Sequence, residues 1–193
     1  MFRRLIRKFS VFHLIIIALM ATLGIATKPI IVPLVHIITG PLYIPGGAIA
    51  GGLYMIWIVL GVGLINKIGV ASIIAAVQAI MVVSLGMSGS HGIMSFLTYI
   101  VPGLAVDVLL ILIKYRSPSL GNLFLCGLVA NLSGTFLVNV IFFRLPIIPL
   151  ILVLSSAALS GGVGGIIAYT IINKLEQQGI LTNLMSRGDV VGQ

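Results

Sequence analysis

The chain of 193 residues contains only three acids, and one of them, Asp107, lies within an apolar run where a charge is expensive. An Asp at the centre of a membrane helix costs about 2.5–3.5 kcal/mol on insertion scales, so its side chain is expected to face the protein interior. Two readings of Asp107 stand side by side: a ligand or ion-coupling carboxyl group, or a structural acid paired with Lys67 or a backbone donor. The other acids, Glu176 and Asp189, fall in the C-terminal tail.

The uncharged polar groups are more numerous. Asn131, Thr135 and Asn139 recur at spacing four, which puts them on one stripe of a helix. Gln78 stands among Ala71, Ala75 and Ala79, and Tyr54, Trp57 and Tyr99 belong to neighbouring apolar runs. Counting from the run ends places Asn131 near mid-depth and Asn139, Tyr99, Tyr54 and Trp57 further out. The set Tyr54, Trp57, Gln78, Tyr99, Asn131 and Asn139 is therefore expected to line one outward-opening cavity, aromatic with a few amides, as small-molecule pockets are. The plainer alternative has each amide joining helices and each aromatic in an interfacial belt. His91, in the short loop Met87–Gly92, joins the substrate-binding candidates, and His36 is a further polar contact.

Other chemistries lack their residues. There is no G-x-x-x-x-G-K-[ST] phosphate loop, no H-E-x-x-H zinc helix and no serine in a G-x-S-x-G setting. His13, His36 and His91 are far apart in sequence, and Cys126 is the single cysteine. Catalytic residues, a metal site and a cofactor are not expected, and neither is enzyme activity. The basic residues form no patch with interleaved aromatics, so nucleic acid is an unsuitable partner.

The elements that must position these groups are membrane helices. Hydrophobic residues make up 60% of the chain and charged residues 7%, with a mean hydropathy of +1.28. So little charge cannot cover a water-soluble surface. A helix needs about 20 residues to cross the hydrocarbon core. Spans are predicted at Phe9–Ala26, Ala48–Asn66, Ile68–Leu85, Gly92–Ile113, Leu120–Phe142 and Ile147–Ile172. The expected fold is an all-α integral membrane protein of six transmembrane helices in the lipid bilayer. Residues 1–175 form one membrane domain, and 176–193 a short cytoplasmic tail. Arg3, Arg4, Arg7, Lys8, Lys67, Lys114, Arg116, Lys174 and Arg187 then share one side, and Lys28 and Arg144 the other. That bias places the N- and C-termini in the cytoplasm. The run after Arg3–Lys8 is longer than the apolar part of a signal peptide, so it is read as a retained first helix.

Two details concern packing. The segment Lys28–Gly47 contains Pro29, Pro33, Pro41 and Pro45 and is not expected to form one regular helix; it would lie in the interface or over the outer face as a lid. Small residues recur at Ala18, Thr22 and Ala26, at Gly47 and Gly51, and at Gly161 and Gly165, where helix backbones can approach closely.

The organisation, with Gly40-Pro41-Leu42, Gly52-Leu53-Tyr54-Met55, Lys67-x-Gly69 and Gly103-Leu104-x-x-Asp107, resembles the substrate-binding S components of energy-coupling factor (ECF) transporters. Within them it is most similar to the YkoE type, associated with thiamine or its hydroxymethylpyrimidine precursor. The resemblance implies a cell-membrane protein that captures a vitamin-like small molecule. It also implies partners, a transmembrane coupling subunit and two cytoplasmic ATPase subunits, met through the small-residue face Ala18, Thr22 and Ala26. The alternative from the residues alone is a stand-alone secondary transporter or channel using Asp107 as its intramembrane ion site.

Overall fold

The computed structural model describes residues 9–42, 45–86 and 94–179. Among them are six α-helices and no strand: α1 (Val11–Thr39), α2 (Gly46–Ile65), α3 (Val70–Ser84), α4 (Ser95–Leu112), α5 (Leu120–Val138) and α6 (Ile147–Gln177). A 3-10 turn, Gly40–Leu42, follows α1, and a π-helical segment, Asn139–Phe143, closes α5. Five of the helices are long and apolar enough to cross a membrane. The sixth, α3, has 15 residues and so reaches about 22 Å, short of a hydrocarbon core of about 30 Å. Large apolar side chains, among them Leu19, Ile38, Leu112, Ile148 and Leu159, are exposed around the bundle, as a surface against lipid tails requires.

The prolines do not end α1 where they were expected to. The helix starts at a capping box, in which Ser10 Oγ accepts from the His13 backbone N–H and His13 Nδ1 accepts from the Ser10 N–H. It then runs 29 residues, through Pro29 and Pro33, to Thr39. Each proline removes one donor, but the apolar residues around them keep the other amides out of water, where a helix alone satisfies them. The predicted lid segment is thus, as far as Thr39, the second half of α1. It packs along α2: a methyl carbon at Gly46 would fall 2.9 Å from His36.

α2 is the central element, packed on α1, α3, α5 and α6. Over its most apolar window it is 67% buried, against 28% for α1. Ile58, Val59 and Val62 of α2 form the core with Ile74, Leu110 and Leu123 from its neighbours. The approach to α6 is backbone on backbone, since a methyl carbon at Gly52 would fall 2.0 Å from the Ser160 carbonyl oxygen. Gly161 and Gly165 take the same close contact against α5. Gly51 makes room for Asn131, whereas Gly47, its partner in the sequence pattern, has almost nothing against it.

At the other end of α2 the chain turns through Asn66 (φ 53°) and Gly69 (φ 98°), two residue types that tolerate the left-handed region. Gly69 has no side chain to cap α3, and the cap comes from α4. Asp107 Oδ1 accepts from the Gly69 N–H at 2.9 Å, and Oδ2 accepts from the Ser72 N–H at 2.8 Å and from the Ser72 hydroxyl.

Candidate functional site

Three helices leave a cavity of about 230 Å³ at the end of the bundle where α2 begins. α1 supplies Lys28, Val32 and His36, which recur at spacing four and so share one face. The first turn of α2, Pro45–Ala48, forms another wall together with Tyr54. The end of α5 supplies Thr135 and Val138, and its π-helical segment adds Asn139 and Phe143. Departures from α-helical winding of this kind often accompany functional sites.

A smaller niche of about 10 Å³ adjoins it, about the space of one water molecule. Lys28 and Tyr54 belong to both, and Gln78, Thr98 and Tyr99 line the niche with Gly24, Met55 and Ile58. Gln78 is buried against Gly24, where any side chain would strike its amide, and its Nε2 donates to Ala21 O at 3.5 Å. Lys28 reaches between the aromatics. Its ammonium lies 4.1 Å from the Tyr99 ring centroid and 5.4 Å from that of Tyr54, within cation–π range. Tyr54 donates its hydroxyl to Gly47 O at 3.1 Å.

Asn139 is the polar group with capacity to spare. Its Nδ2 donates to Thr135 O one turn back, at 2.9 Å. Its Oδ1 is buried without a donor, on a residue that lines the cavity.

The structure thus gathers Tyr54, Gln78, Tyr99 and Asn139 of the expected set around one space. Trp57 stands beside it, its indole N–H donating to the Thr27 hydroxyl at 2.9 Å and so tying α2 to α1. Asn131 is fully buried between helices. Its Nδ2 donates to Ala48 O and Ala157 O, both at 2.8 Å, joining α2 and α6 to α5. Its Oδ1 also lacks a donor, but it is pressed on Gly51, which leaves no space for a guest. Asp107 is at the opposite end of α2, about 30 Å away for a 20-residue helix. His91 lies outside the described residues. Ala18, Thr22 and Ala26 are exposed on α1, with the Thr22 hydroxyl turned back onto Ala18 O.

By sequence Lys28 is a charge flanking the first span, and its place inside α1 follows from the helix continuing past Pro29. Its spacing from Val32 and His36 was the available signal. Among the described residues, no three His, Cys, Asp or Glu side chains are grouped to hold a metal ion. A hollow of about 410 Å³ at the far end is lined by Phe9, Asn66, Lys67, Ile68 and Tyr115. All of these lie outside the helices, and none of the expected ligand groups among the described residues lines it.

The described residues form an all-helical bundle with a partly polar cavity walled by three helices. A solved structure described as an S-component of an ECF transporter has this fold. It superposes with a TM-score of 0.76 at 18% sequence identity, over 94% of this chain and 93% of that one. Residues 12–133 match the family described as the permease component of an ABC-type cobalt transport system, and the chain belongs to that family. Among curated proteins, none matches the sequence.

Proposed function

We propose that the protein is the substrate-capture subunit of an ATP-driven importer of the ECF type. The observation that carries this reading is the cavity between α1, α2 and α5, lined by Lys28, Tyr54 and Asn139, the last a buried amide whose Oδ1 has no donor. Its volume is about 1.5 times that of a cavity that takes up benzene, which suits a single-ring organic molecule. The family description names cobalt, but a Lys28 ammonium opposes a divalent cation, and we assign the cavity to an organic molecule. From the YkoE-like reading we keep the flat heteroaromatic fragment and set aside the cationic thiazolium, which Lys28 would also repel. In this reading the binding residues are Lys28, Tyr54, Gln78, Tyr99 and Asn139, and Asp107 is the cap of α3.

The protein sits in the cell membrane with six spans and both termini cytoplasmic, so that the cavity opens outward. The short α3 spans with the help of the turns that flank it. The exposed stripe Ala18, Thr22 and Ala26 docks on a transmembrane coupling subunit, which joins it to two ATPase subunits. Co-expression of tagged protein with the coupling and ATPase subunits of an ECF module should yield a complex that survives purification. Leucine at all three stripe positions should disrupt it, because bulk there separates backbones that must approach closely. Recovery of this protein alone from such a co-expression would overturn the capture reading.

A further inference from the structure

The end of the bundle opposite the cavity holds the second hollow, which the capture reading does not use. It measures about 410 Å³ and lies between three stretches of chain: Phe9 ahead of α1, Asn66, Lys67 and Ile68 in the α2–α3 turn, and Tyr115 just after α4. Its walls are fixed. Phe9 and Tyr115 pack against the main core, and Asn66 Nδ2 donates to Arg116 O at 3.3 Å, which ties the α2–α3 turn to the α4–α5 linker. Lys67 stands half-buried in this frame, with its ammonium 5.8 Å from the Phe9 ring centroid.

Charge here is one-sided. Lys114 and Arg116 flank Tyr115 and are exposed, and Arg7 and Lys8 directly precede Phe9 in the chain. The acid beside the α2–α3 turn is Asp107, whose two oxygens are occupied by Gly69 and Ser72. Glu176, in the last turn of α6, is accompanied there by Lys174. The apolar side of the hollow faces outward: Ile68 is 46% exposed, and Val11, Leu14 and Ile15, which follow Phe9 on α1, are exposed as well. A molecule seated here meets a cation and an aromatic ring at one end and a lipid-facing surface at the other.

We infer that the hollow seats the headgroup of an anionic phospholipid, its phosphate paired with Lys67 and its acyl chains lying along the exposed side chains at the start of α1. The inference needs only that the bundle spans a membrane, and it is independent of the substrate of the cavity. The ends of membrane helices lie at headgroup depth, where a basic pocket beside apolar surface suits an anionic lipid. A soluble phosphate compound would pair with Lys67 but leave Ile68 and the α1 side chains uncovered. A zwitterionic lipid brings its own cation, which Lys67, Lys114 and Arg116 oppose.

The test is native mass spectrometry of the full-length protein, released from detergent micelles that contain equal amounts of phosphatidylglycerol and phosphatidylcholine. Phosphatidylglycerol should be retained at least about fivefold over phosphatidylcholine, the scale of one basic residue at a membrane surface. Lys67→Gln should bring the ratio near one, and Lys67→Arg, which keeps the charge, should preserve most of it. Ile68→Glu, at an exposed position of the same hollow, should abolish the preference independently. Lys174→Gln removes the same charge from the end of α6 and should leave the ratio within about twofold. No preference in the parent protein, a preference that survives Lys67→Gln or Ile68→Glu, or an equal loss in Lys174→Gln would each overturn the inference, the last by showing diffuse attraction to a basic face. Glycerol 3-phosphate in large excess should not displace the lipid; displacement would make a soluble phosphate the ligand and overturn the lipid assignment.

Discussion

The two ends of α2 treat buried polar groups in opposite ways. At its C-terminal end, Asp107 is a deep acid whose two oxygens accept from the Gly69 N–H, the Ser72 N–H and the Ser72 hydroxyl. At its N-terminal end, Lys28 lies against tyrosine faces and Asn139 keeps an acceptor without a donor. An apolar medium penalises every unmade hydrogen bond, so a group whose bonds are all made inside the protein is accounted for by the fold. On the proposed reading, a group left short beside open space is one that a guest would satisfy. One of the chain's three acids therefore points to structure, and on the proposed reading a common amide points to the ligand. Asn131 marks the boundary between the cases, since it too keeps an unpaired oxygen but has Gly51 against it instead of a cavity.

Substitutions can break this contrast. The largest effect is expected for Asp107→Ala, which leaves the first turn of α3 without its cap. Loss of a cap costs about 0.5–2 kcal/mol, and hydrogen bonds to a charged group about 1.5–3. A stability loss of about 2–4 kcal/mol should appear in thermal unfolding, with ligand affinity little changed in the folded fraction; a lost affinity at normal stability would return Asp107 to the site. Asn131→Leu comes next, at about 1–2 kcal/mol of stability, because Ala48 O and Ala157 O lose their donor. Retained unfolding temperature there would mean that the amide is not a helix join.

Asn139→Leu should reverse the pattern. It removes an unpaired acceptor and one local bond to Thr135 O, so the stability loss should stay within about 1 kcal/mol, while affinity for the ligand falls about tenfold, or about 1.4 kcal/mol. A destabilised Asn139→Leu protein with intact affinity would erase the distinction between the two ends. Trp57→Phe is the smallest perturbation, losing one hydrogen bond to Thr27 worth about 0.6 kcal/mol on the average for membrane helices. Its effect should be a slight fall in unfolding temperature, and a larger loss of affinity than of stability would bring Trp57 into the pocket.

The sequence by itself determined the solvent and the kind of element. Apolar runs long enough to span, with almost no charge inside them, leave helices as the only way to satisfy the backbone, and five such helices are present, with a shorter sixth. Spacing alone also set Asn131, Thr135 and Asn139 on one stripe. What that stripe does was decided only by the packing around each residue. Asn131 and Asn139 are eight residues apart on nearly the same face, yet Asn131 meets Ala48, Gly51 and Ala157, whereas Asn139 reaches the space left where α1, α2 and α5 part. Depth along a run was likewise a poor guide to Asp107, because a capping partner on another helix leaves no periodic trace. Lys28 sits beside Pro29, and a proline reports the loss of its own donor but not whether neighbouring amides have any alternative to staying helical, so the sequence does not place this lysine inside α1. Periodicity is a property of one helix, but hydrogen-bond satisfaction belongs to the contacts between helices, and only the tertiary structure contains those.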